Sequence, residues 1–276
     1  MPLYDLSYRR FDGPRTPRFR RSLALARSAA SLLLRKRSFL LLLAVSWVPA
    51  VVRAAQIYVA RQFPGAPEFF TISPGTWGDF LTQQVRFLPV VLVSLATGAS
   101  AIASDFASGA FTIYLSKPIS RFDYFLGKAL PVAAAVGAVT LAPALVLLFL
   151  HLALAPDFAL LASAPWLPLS VIAYSVLLAL YYTLSVLAIS SLCRSGRVAG
   201  AGFAALVFGS EIAARTASSR MFGAARLPGV NGAAIDAGRW LFGGSTALFP
   251  LAFLIGVIVL SALVLDRRLR SGEGAL

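Results

Sequence analysis

The sequence predicts an all-α, polytopic membrane protein with six transmembrane helices. Of its 276 residues, 58% are hydrophobic and only 13% are charged, whereas soluble domains are about 45–50% apolar and about 25% charged. Mean hydropathy is +0.79. Long apolar stretches alternate with short polar ones, and each is close to the ~20 residues that a helix needs to cross a bilayer. These observations exclude a disordered chain and an ordinary soluble enzyme, and the single cysteine, Cys193, excludes a disulfide scaffold.

The first element in chain order is an Arg-rich cytoplasmic segment, residues 1–37. Between Pro17 and Arg37, a stripe of apolar residues recurs at helical spacing, which predicts an amphipathic helix in the cytoplasmic interface. We expect membrane lipid as its partner and no nucleic acid, because an Arg-rich arm beside a span already meets anionic lipid. The segment is longer than the charged lead of a signal peptide, so we expect no cleavage. The stripe consists of Phe19, Leu23, Ala26, Ala30 and Leu33.

The transmembrane domain is predicted over residues 38–265, followed by a cytoplasmic tail, 266–276. Pro49 predicts a kink in the first span, because proline interrupts helical hydrogen bonding. The fifth span is short and rich in Gly and Ala, which favours close packing against a neighbour. The six predicted spans are residues 38–59, 80–103, 125–152, 166–192, 198–214 and 245–265.

The orientation follows from the basic residues, which favour the cytoplasmic side of a membrane. With six spans, 18 of the 25 Lys and Arg residues fall on one side, together with both termini. That side is predicted to be cytoplasmic. The net charge of +14 is therefore mainly a topology signal. Four arginines around the segment before span six are left without an explanation: Arg215, Arg220, Arg226 and Arg239.

Ionisable residues inside spans are candidates for function. Glu211 and Arg215 lie four residues apart on one face of the fifth span, so we expect them to form an intramembrane pair. A direct role in substrate binding is the alternative. A lone histidine, His151, and a lone cysteine cannot form a metal site without further ligands. We therefore expect no metal site.

The loop between spans two and three, residues 104–124, is the most informative segment. Its first half has no proline and predicts a short helix beneath the membrane. Lys117 and Pro118 end this helix, because the residue before a proline disfavours helical geometry. Arg121, Asp123 and Lys128 then stand where the third span leaves the cytosol. From its chemistry alone, this is a polar, partly helical loop suited to docking a partner.

The run YLSKPISR followed by FLGK resembles the signature of ABC type-2 permeases, the membrane subunits of one class of ABC exporters. In that family an acidic residue and a Gly-Thr pair precede LLS-x-P-[VI]-S-R, and GK opens the third span. Asp105 and Gly109 stand at the acidic and glycine positions. The chain departs from the pattern by having Asp instead of Glu at 105 and Ala110 instead of Thr. The direct matches are Leu115, Ser116, Pro118, Ser120, Arg121, Gly127 and Lys128.

The resemblance implies an exporter subunit, NosY-like in size and layout, in a bacterial inner membrane. Residues 105–116 would be a coupling helix seated in a groove of an ABC ATPase, and residues 216–244 an external, partly re-entrant segment. The implied partners are two ATPase subunits and a second permease, as a homodimer or heterodimer, with the homodimer preferred. A periplasmic or extracellular accessory protein is an optional partner. ATP and Mg²⁺ would be held by the ATPase, so no cofactor and no enzyme activity is expected on this chain, which lacks a Walker motif.

Two other function classes remain as alternatives. A stand-alone secondary transporter or channel is expected to have inverted repeats and polar groups at the membrane midplane. No clear repeat is visible in this sequence. A membrane-embedded enzyme would need clustered His, Cys, Asp or Glu residues near an interface. No such cluster is visible in the sequence either.

Overall fold

A computed structural model describes residues 18–62, 74–86, 88–110, 114, 120–154, 164–221, 229–244 and 248–271. Within these ranges the regular structure is helical and contains no strand. Six helical segments are long and apolar enough to cross a membrane. The predicted all-α, polytopic architecture is therefore confirmed.

The helices are numbered here in chain order, and some of them join end to end into one span. The N-terminal helix, α1, is followed by span one (α2 and α3), α4, span two (α5 and α6), span three (α7 and α8), span four (α9), span five (α10, a π-helical segment and α11), α12, and span six (α13). Their bounds are Arg18–Leu34, Arg37–Ser46, Val48–Gln62, Pro74–Arg86, Pro89–Gly98, Ala103–Ala107, Arg121–Val139, Leu141–Leu154, Leu167–Leu192, Gly196–Ala204, Ala205–Gly209 (π), Ser210–Met221, Val230–Leu241 and Phe249–Ser271.

Span one is interrupted close to the predicted kink. Its two helices meet at Trp47, two residues before Pro49. The indole N–H of Trp47 donates a hydrogen bond to the carbonyl oxygen of Ala138 in span three, at 2.9 Å. Because proline has no N–H and is well accommodated in the first turn of a helix, the new helix starts beside it.

The second span was predicted over residues 80–103, and the predicted start of that span is wrong. A separate helix, α4, ends at Arg86, and span two begins only at Pro89. Leu88 between them has a left-handed backbone with φ 71°. The apolar residues of α4, including Phe80, Leu81 and Val85, are buried inside the protein. Hydropathy did not separate the two helices, because both carry apolar side chains at the junction.

Span three is longer than predicted and begins four residues earlier, at Arg121. A capping box starts it: Asp123 N–H donates to Ser120 Oγ, and Ser120 N–H donates to the Asp123 carboxylate. These reciprocal bonds satisfy N–H groups that the first turn of a helix leaves unpaired. The span covers 34 residues, which is about 51 Å at 1.5 Å per residue. It therefore extends past a hydrocarbon core of about 30 Å.

The interior of the bundle is built mainly from spans two, three and four. In their most apolar stretches, 56%, 50% and 56% of the residues are buried, compared with 17%, 17% and 22% in spans one, five and six. Spans two and four approach closely at Gly98, where an added Cβ would overlap the side chain of Val186. The three outer spans expose apolar side chains, as expected for surfaces that meet lipid or another membrane chain.

The N-terminal helix packs against the first turns of span three. A Cβ added at Gly127 would lie 2.7 Å from Cβ of Leu25, so this glycine permits the close approach. Ser22 and Ala26 are buried in the same contact, whereas Leu23 is 48% exposed. The predicted apolar stripe of α1 therefore matches the packed face only in part: Ala26 belongs to that face and Leu23 does not. One face of α1 meets span three through small residues, and Leu23 points away from that contact.

Candidate functional site

The short helix α6 has an inner and an outer side. Ala103 and Asp105 are buried, and Asp105 is only 8% exposed. Ser104, Ala107 and the two residues that follow the helix are exposed. The acidic side chain of α6 therefore points into the protein, and small residues form its outer surface.

Asp105 is held by two side chains from the start of span three. Lys128 Nζ lies 2.7 Å from Asp105 Oδ2, and the Tyr124 hydroxyl donates a hydrogen bond to the same oxygen at 2.8 Å. Tyr124 and Lys128 are four residues apart, so they lie on one face of the helix. Charge-assisted bonds of this kind are stronger than bonds between neutral groups. They fix α6 to the end of span three.

Aromatic rings surround the ammonium group of Lys128. Nζ lies 5.9 Å from the ring centroid of Tyr114 and 5.7 Å from that of Tyr124, within the range of cation–π attraction. The two ring centroids are 5.5 Å apart. Burial, and then the charge of Asp105, raise the pKa of Tyr114 above its ordinary value.

Two further elements close around this cluster. Tyr124 is fully buried, and Leu269 of span six packs with it. Leu25 of α1 and Phe106 of α6 are partly buried against the same pair. The contact around Asp105 thus joins α1 and spans two, three and six at one end of the bundle.

Span four anchors the beginning of α6. Ser190 Oγ accepts hydrogen bonds from the N–H groups of Ile102 and Ala103, at 3.1 and 3.0 Å, and donates one to the carbonyl oxygen of Ala99 at 2.9 Å. The first N–H groups of a helix have no partner within it. Ser190 supplies that partner from another span, so the junction between α5 and α6 is held in place.

The structure brings some of the predicted coupling residues together and separates others. Asp105 and Lys128 form the cluster just described. Gly109 has φ +69°, a left-handed geometry that glycine adopts without a steric penalty, and it turns the chain after α6. Arg121 lies in the first turn of span three, beside an apolar cleft of about 270 Å³ that Phe122 and others line. The remaining predicted residues, Leu115, Ser116 and Pro118, lie outside the described residues.

Sequence reasoning missed Tyr124 and Ser190. The helical spacing of Tyr124 and Lys128 is a signal that would have found the tyrosine once Lys128 was selected. Ser190 has no comparable signal, because it lies 88 residues from Ile102 in the chain.

The predicted pairing of Glu211 with Arg215 is wrong. Both residues are described, and no ion pair joins them. Glu211 Oε1 instead accepts a hydrogen bond from Gly232 N–H, and Ser210 Oγ accepts one from Val230 N–H at 3.1 Å. Both donors belong to the first turn of α12, where unpaired N–H groups and the helix dipole favour an anion. The carboxylate thus caps a neighbouring helix.

Helix α12 is bound to two more elements by buried hydrogen bonds. The hydroxyl of Tyr174 in span four donates to the carbonyl oxygen of Ala234 at 2.8 Å, and the hydroxyl of Tyr182 donates to Asn231 Oδ1. The amide nitrogen of Asn231 donates to the carbonyl oxygen of Val85 in α4 at 3.4 Å. The predicted segment 216–244 therefore contains a well-anchored helix, and its re-entrant placement in a membrane stays a prediction.

In the parts of the chain that the structure describes, no group of three or more His, Cys, Asp or Glu side chains is arranged to hold a metal ion.

The role that the side chains around Asp105 can play is mechanical. These residues, called the Asp105 cluster below, are Asp105, Tyr114, Tyr124 and Lys128 with Leu25, Phe106 and Leu269. The cluster holds a short surface helix rigidly against several spans and leaves the outer side of that helix accessible.

Comparison with known proteins agrees with the sequence signature. A family model described as ABC-2 family transporter protein matches residues 24–230. The matched range runs from α1 to the start of α12 and includes the whole Asp105 cluster except for Leu269. No curated protein matches the chain.

Proposed function

Because the chain belongs to the ABC-2 transporter family and is thus a membrane permease component of an ABC transporter, we propose that α6 couples ATP hydrolysis to movement of the spans. The hydrolysis takes place on separate ATPase subunits, where ATP and Mg²⁺ bind. The movement of the spans drives export of a substrate. The observation that carries this proposal is the attachment of α6 through Asp105, Tyr124 and Lys128.

A coupling element must be joined stiffly to the spans and still offer a surface to its driver. The cluster around Asp105 and the hydrogen bonds of Ser190 supply the stiff attachment. The outer side of α6 carries small residues, Ser104, Ala107 and Ser108, which let a partner's surface approach closely. Asp105 is thus a positioning residue in this proposal and does not itself meet the ATPase.

Displacement of α6 would move several helices together. Span two continues directly into α6, span three holds it by an ion pair, and α1 and span six pack on the same cluster. Packed elements of this kind shift between discrete arrangements and do not deform continuously. Closure of an ATPase pair would therefore be converted into a change in how the spans pack.

The expected assembly contains two ATPase subunits and a second permease, with a homodimer preferred over a heterodimer. The exposed apolar sides of the outer spans support lateral packing against another membrane chain. We further propose a bacterial inner membrane, cytoplasmic termini, and a periplasmic or extracellular accessory protein as an optional partner.

The test is co-purification and ATP hydrolysis with the ATPase encoded beside this chain. We expect a tagged chain to retain that ATPase and, after reconstitution in vesicles, to stimulate its activity. Asp105→Lys replaces an attraction to Lys128 with a repulsion. The stimulation should then fall by about fivefold or more, since coupling free energies of 1–3 kcal/mol correspond to about 5–150-fold.

Asp266→Lys is the matched control, because Asp266 is an exposed carboxylate at the same end of the bundle, paired with Arg270. It should leave the stimulation unchanged. Failure to retain the ATPase, or equal stimulation by the Asp105→Lys variant, would contradict the proposal. Transport by the reconstituted chain alone, driven by an ion gradient, would favour the secondary transporter.

A further inference from the structure

The end of the bundle opposite to α6 contains a cleft of about 300 Å³ between span five, α4 and α12. Span five connects the two ends: Gly196 at its start packs against Ser100 beside α6, and Arg215 lies 19 residues later in the same span, about 28 Å at 1.5 Å per residue. The cleft therefore lies one hydrocarbon thickness away from α6, at the level of the headgroups of the far leaflet. Its lining includes Arg86, Leu88, Phe208, Ile212, Arg215 and Asn231.

The polar side of the cleft is positively charged. Arg86 and Arg215 are both exposed, and within the part of the chain that the structure describes neither forms an ion pair or hydrogen bond. The one carboxylate in the lining, Glu211, accepts a hydrogen bond from Gly232 N–H and serves as the cap of α12. Two guanidinium groups and one carboxylate therefore line the cleft, and because the carboxylate is held at the start of α12, the cleft keeps a net positive charge.

The other walls of the cleft are apolar. Phe208 and Ile212 are 42% and 66% exposed, and both lie on span five, one of the three outer spans. A water-soluble anion would gain nothing from these side chains. A molecule with an anionic head and an apolar body would match both parts of the lining at once.

Two departures from regular geometry occur at this cleft. Span five changes to a π-helix over Ala205–Gly209, and Phe208 belongs to that segment. Leu88 has a left-handed backbone, which disfavours any residue with a side chain. Such π segments and strained residues recur at binding sites.

We propose that this cleft binds the phosphate group of an anionic phospholipid from the leaflet opposite to α6. Arg86 and Arg215 donate hydrogen bonds to the phosphate oxygens, for which the planar guanidinium group is well suited. The acyl chains lie along Phe208 and Ile212. The site is separate from the Asp105 cluster and does not depend on the coupling role of α6.

The experiment measures lipid retained by the purified full chain in native mass spectrometry, after incubation with phosphatidylglycerol or phosphatidylcholine, each with and without inorganic phosphate. We expect the wild type to retain phosphatidylglycerol more strongly than phosphatidylcholine. The double variant Arg86→Gln/Arg215→Gln should lose that retention by about tenfold, the effect of removing a charge-assisted hydrogen bond. Arg86→Lys/Arg215→Lys keeps both charges and should retain part of the binding.

Arg239→Gln is the control, because Arg239 is exposed on α12 and paired with Asp236 but does not line the cleft. It should bind phosphatidylglycerol as the wild type does. Equal retention of the two lipids by the wild type, an equal loss in Arg239→Gln, or binding of inorganic phosphate without any preference between the lipids would each overturn the proposal. If the double variant Arg86→Gln/Arg215→Gln unfolds, the variant Arg86→Lys/Arg215→Lys provides the test. If that variant shows no preference for phosphatidylglycerol over phosphatidylcholine, the proposal is overturned.

Discussion

At the scale of single residues, the ion pair of Asp105 and Lys128 is unusual because both side chains are largely withdrawn from solvent, with 12% and 15% of their surface exposed. Charges in such places are stable only when they are paired and hydrogen-bonded. Tyr124 adds the hydrogen bond, and two rings face the ammonium group. The pair therefore stabilises one position of α6, and the loss of either partner leaves a buried charge behind.

A double-mutant cycle on this pair should show strong coupling. Asp105→Asn and Lys128→Met each leave one uncompensated charge and should lower the free energy of unfolding by about 3 kcal/mol. The double variant removes both charges, so it should be less destabilised than the sum of the two. We expect an interaction energy of about 1–3 kcal/mol from unfolding in detergent. Additive effects would show that the pair does not hold α6.

Ser190 should matter far more than the adjacent Ser191. Ser190→Ala removes the acceptor of two buried N–H groups and should lower the free energy of unfolding by about 1–3 kcal/mol. Ser191 donates only to Ala188 within its own helix, so Ser191→Ala is the matched control and should have a much smaller effect. Unfolding curves of the two variants, measured under identical conditions, compare them directly. Equal losses would contradict the assigned role of Ser190.

At the scale of whole elements, two helices that do not cross the bundle are positioned by contacts with spans. Helix α1 reaches span three through Gly127, and α12 begins on the carboxylate of Glu211 and the hydroxyl of Ser210. Each contact depends on one small or polar side chain placed at a particular position on another element.

The packing of α1 should be sensitive to the size of residue 127. Gly127→Ala places a methyl group 2.7 Å from Cβ of Leu25, and overpacking of this kind destabilises by about 1–3 kcal/mol. Gly137 lies in the same helix, and a Cβ there would meet nothing within 4 Å. Gly137→Ala should therefore be neutral or stabilising by up to about 1 kcal/mol. Thermal unfolding of both variants measures the difference, and equal stabilities of the two variants would contradict the close approach of α1 at Gly127.

The start of α12 should become more open when its cap is removed. Glu211→Ala removes the acceptor of Gly232 N–H and the anion at the helix N-terminus, which should weaken the cap by about 1 kcal/mol. Hydrogen exchange at Gly232 should then become faster by about fivefold. Glu211→Gln keeps an oxygen acceptor, so it should lose only the charge–dipole part, about 0.3–1 kcal/mol. Unchanged exchange at Gly232 in Glu211→Ala would refute the capping role.

At the scale of the whole molecule, the two ends of the bundle differ in what they carry. One end has α6, the Asp105 cluster and α1, and the other has α4, α12 and the cleft lined by Arg86 and Arg215. Spans two, three and four connect these ends and form most of the buried interior. A displacement of α6 at one end would therefore reach the other end through these three spans, which have the largest buried fractions.

The single cysteine offers a direct test of the orientation. Cys193 follows span four at the same end as α6, three residues after Ser190, and is partly exposed. In sealed inside-out vesicles, a membrane-impermeant maleimide should label it, because the proposed orientation puts the end with 18 of the 25 basic residues in the cytosol. The variant Cys193→Ser/Arg239→Cys moves the thiol to the other end and should be labelled only in right-side-out vesicles. The reverse labelling pattern would invert the proposed topology.

The amino-acid sequence by itself determined the class of the protein, the existence of six spans and the family. These properties depend on sums over local stretches, such as apolar length and the short run from Leu115 to Lys128, which do not require knowledge of packing. The tertiary structure decided that the apolar side of α4 packs inside the protein while span two begins only at Pro89, and that Ser190 holds the start of α6. It also decided that Glu211 caps α12. Each of these depends on residues far apart in the chain, where hydropathy and spacing carry no information about which side chain becomes whose neighbour.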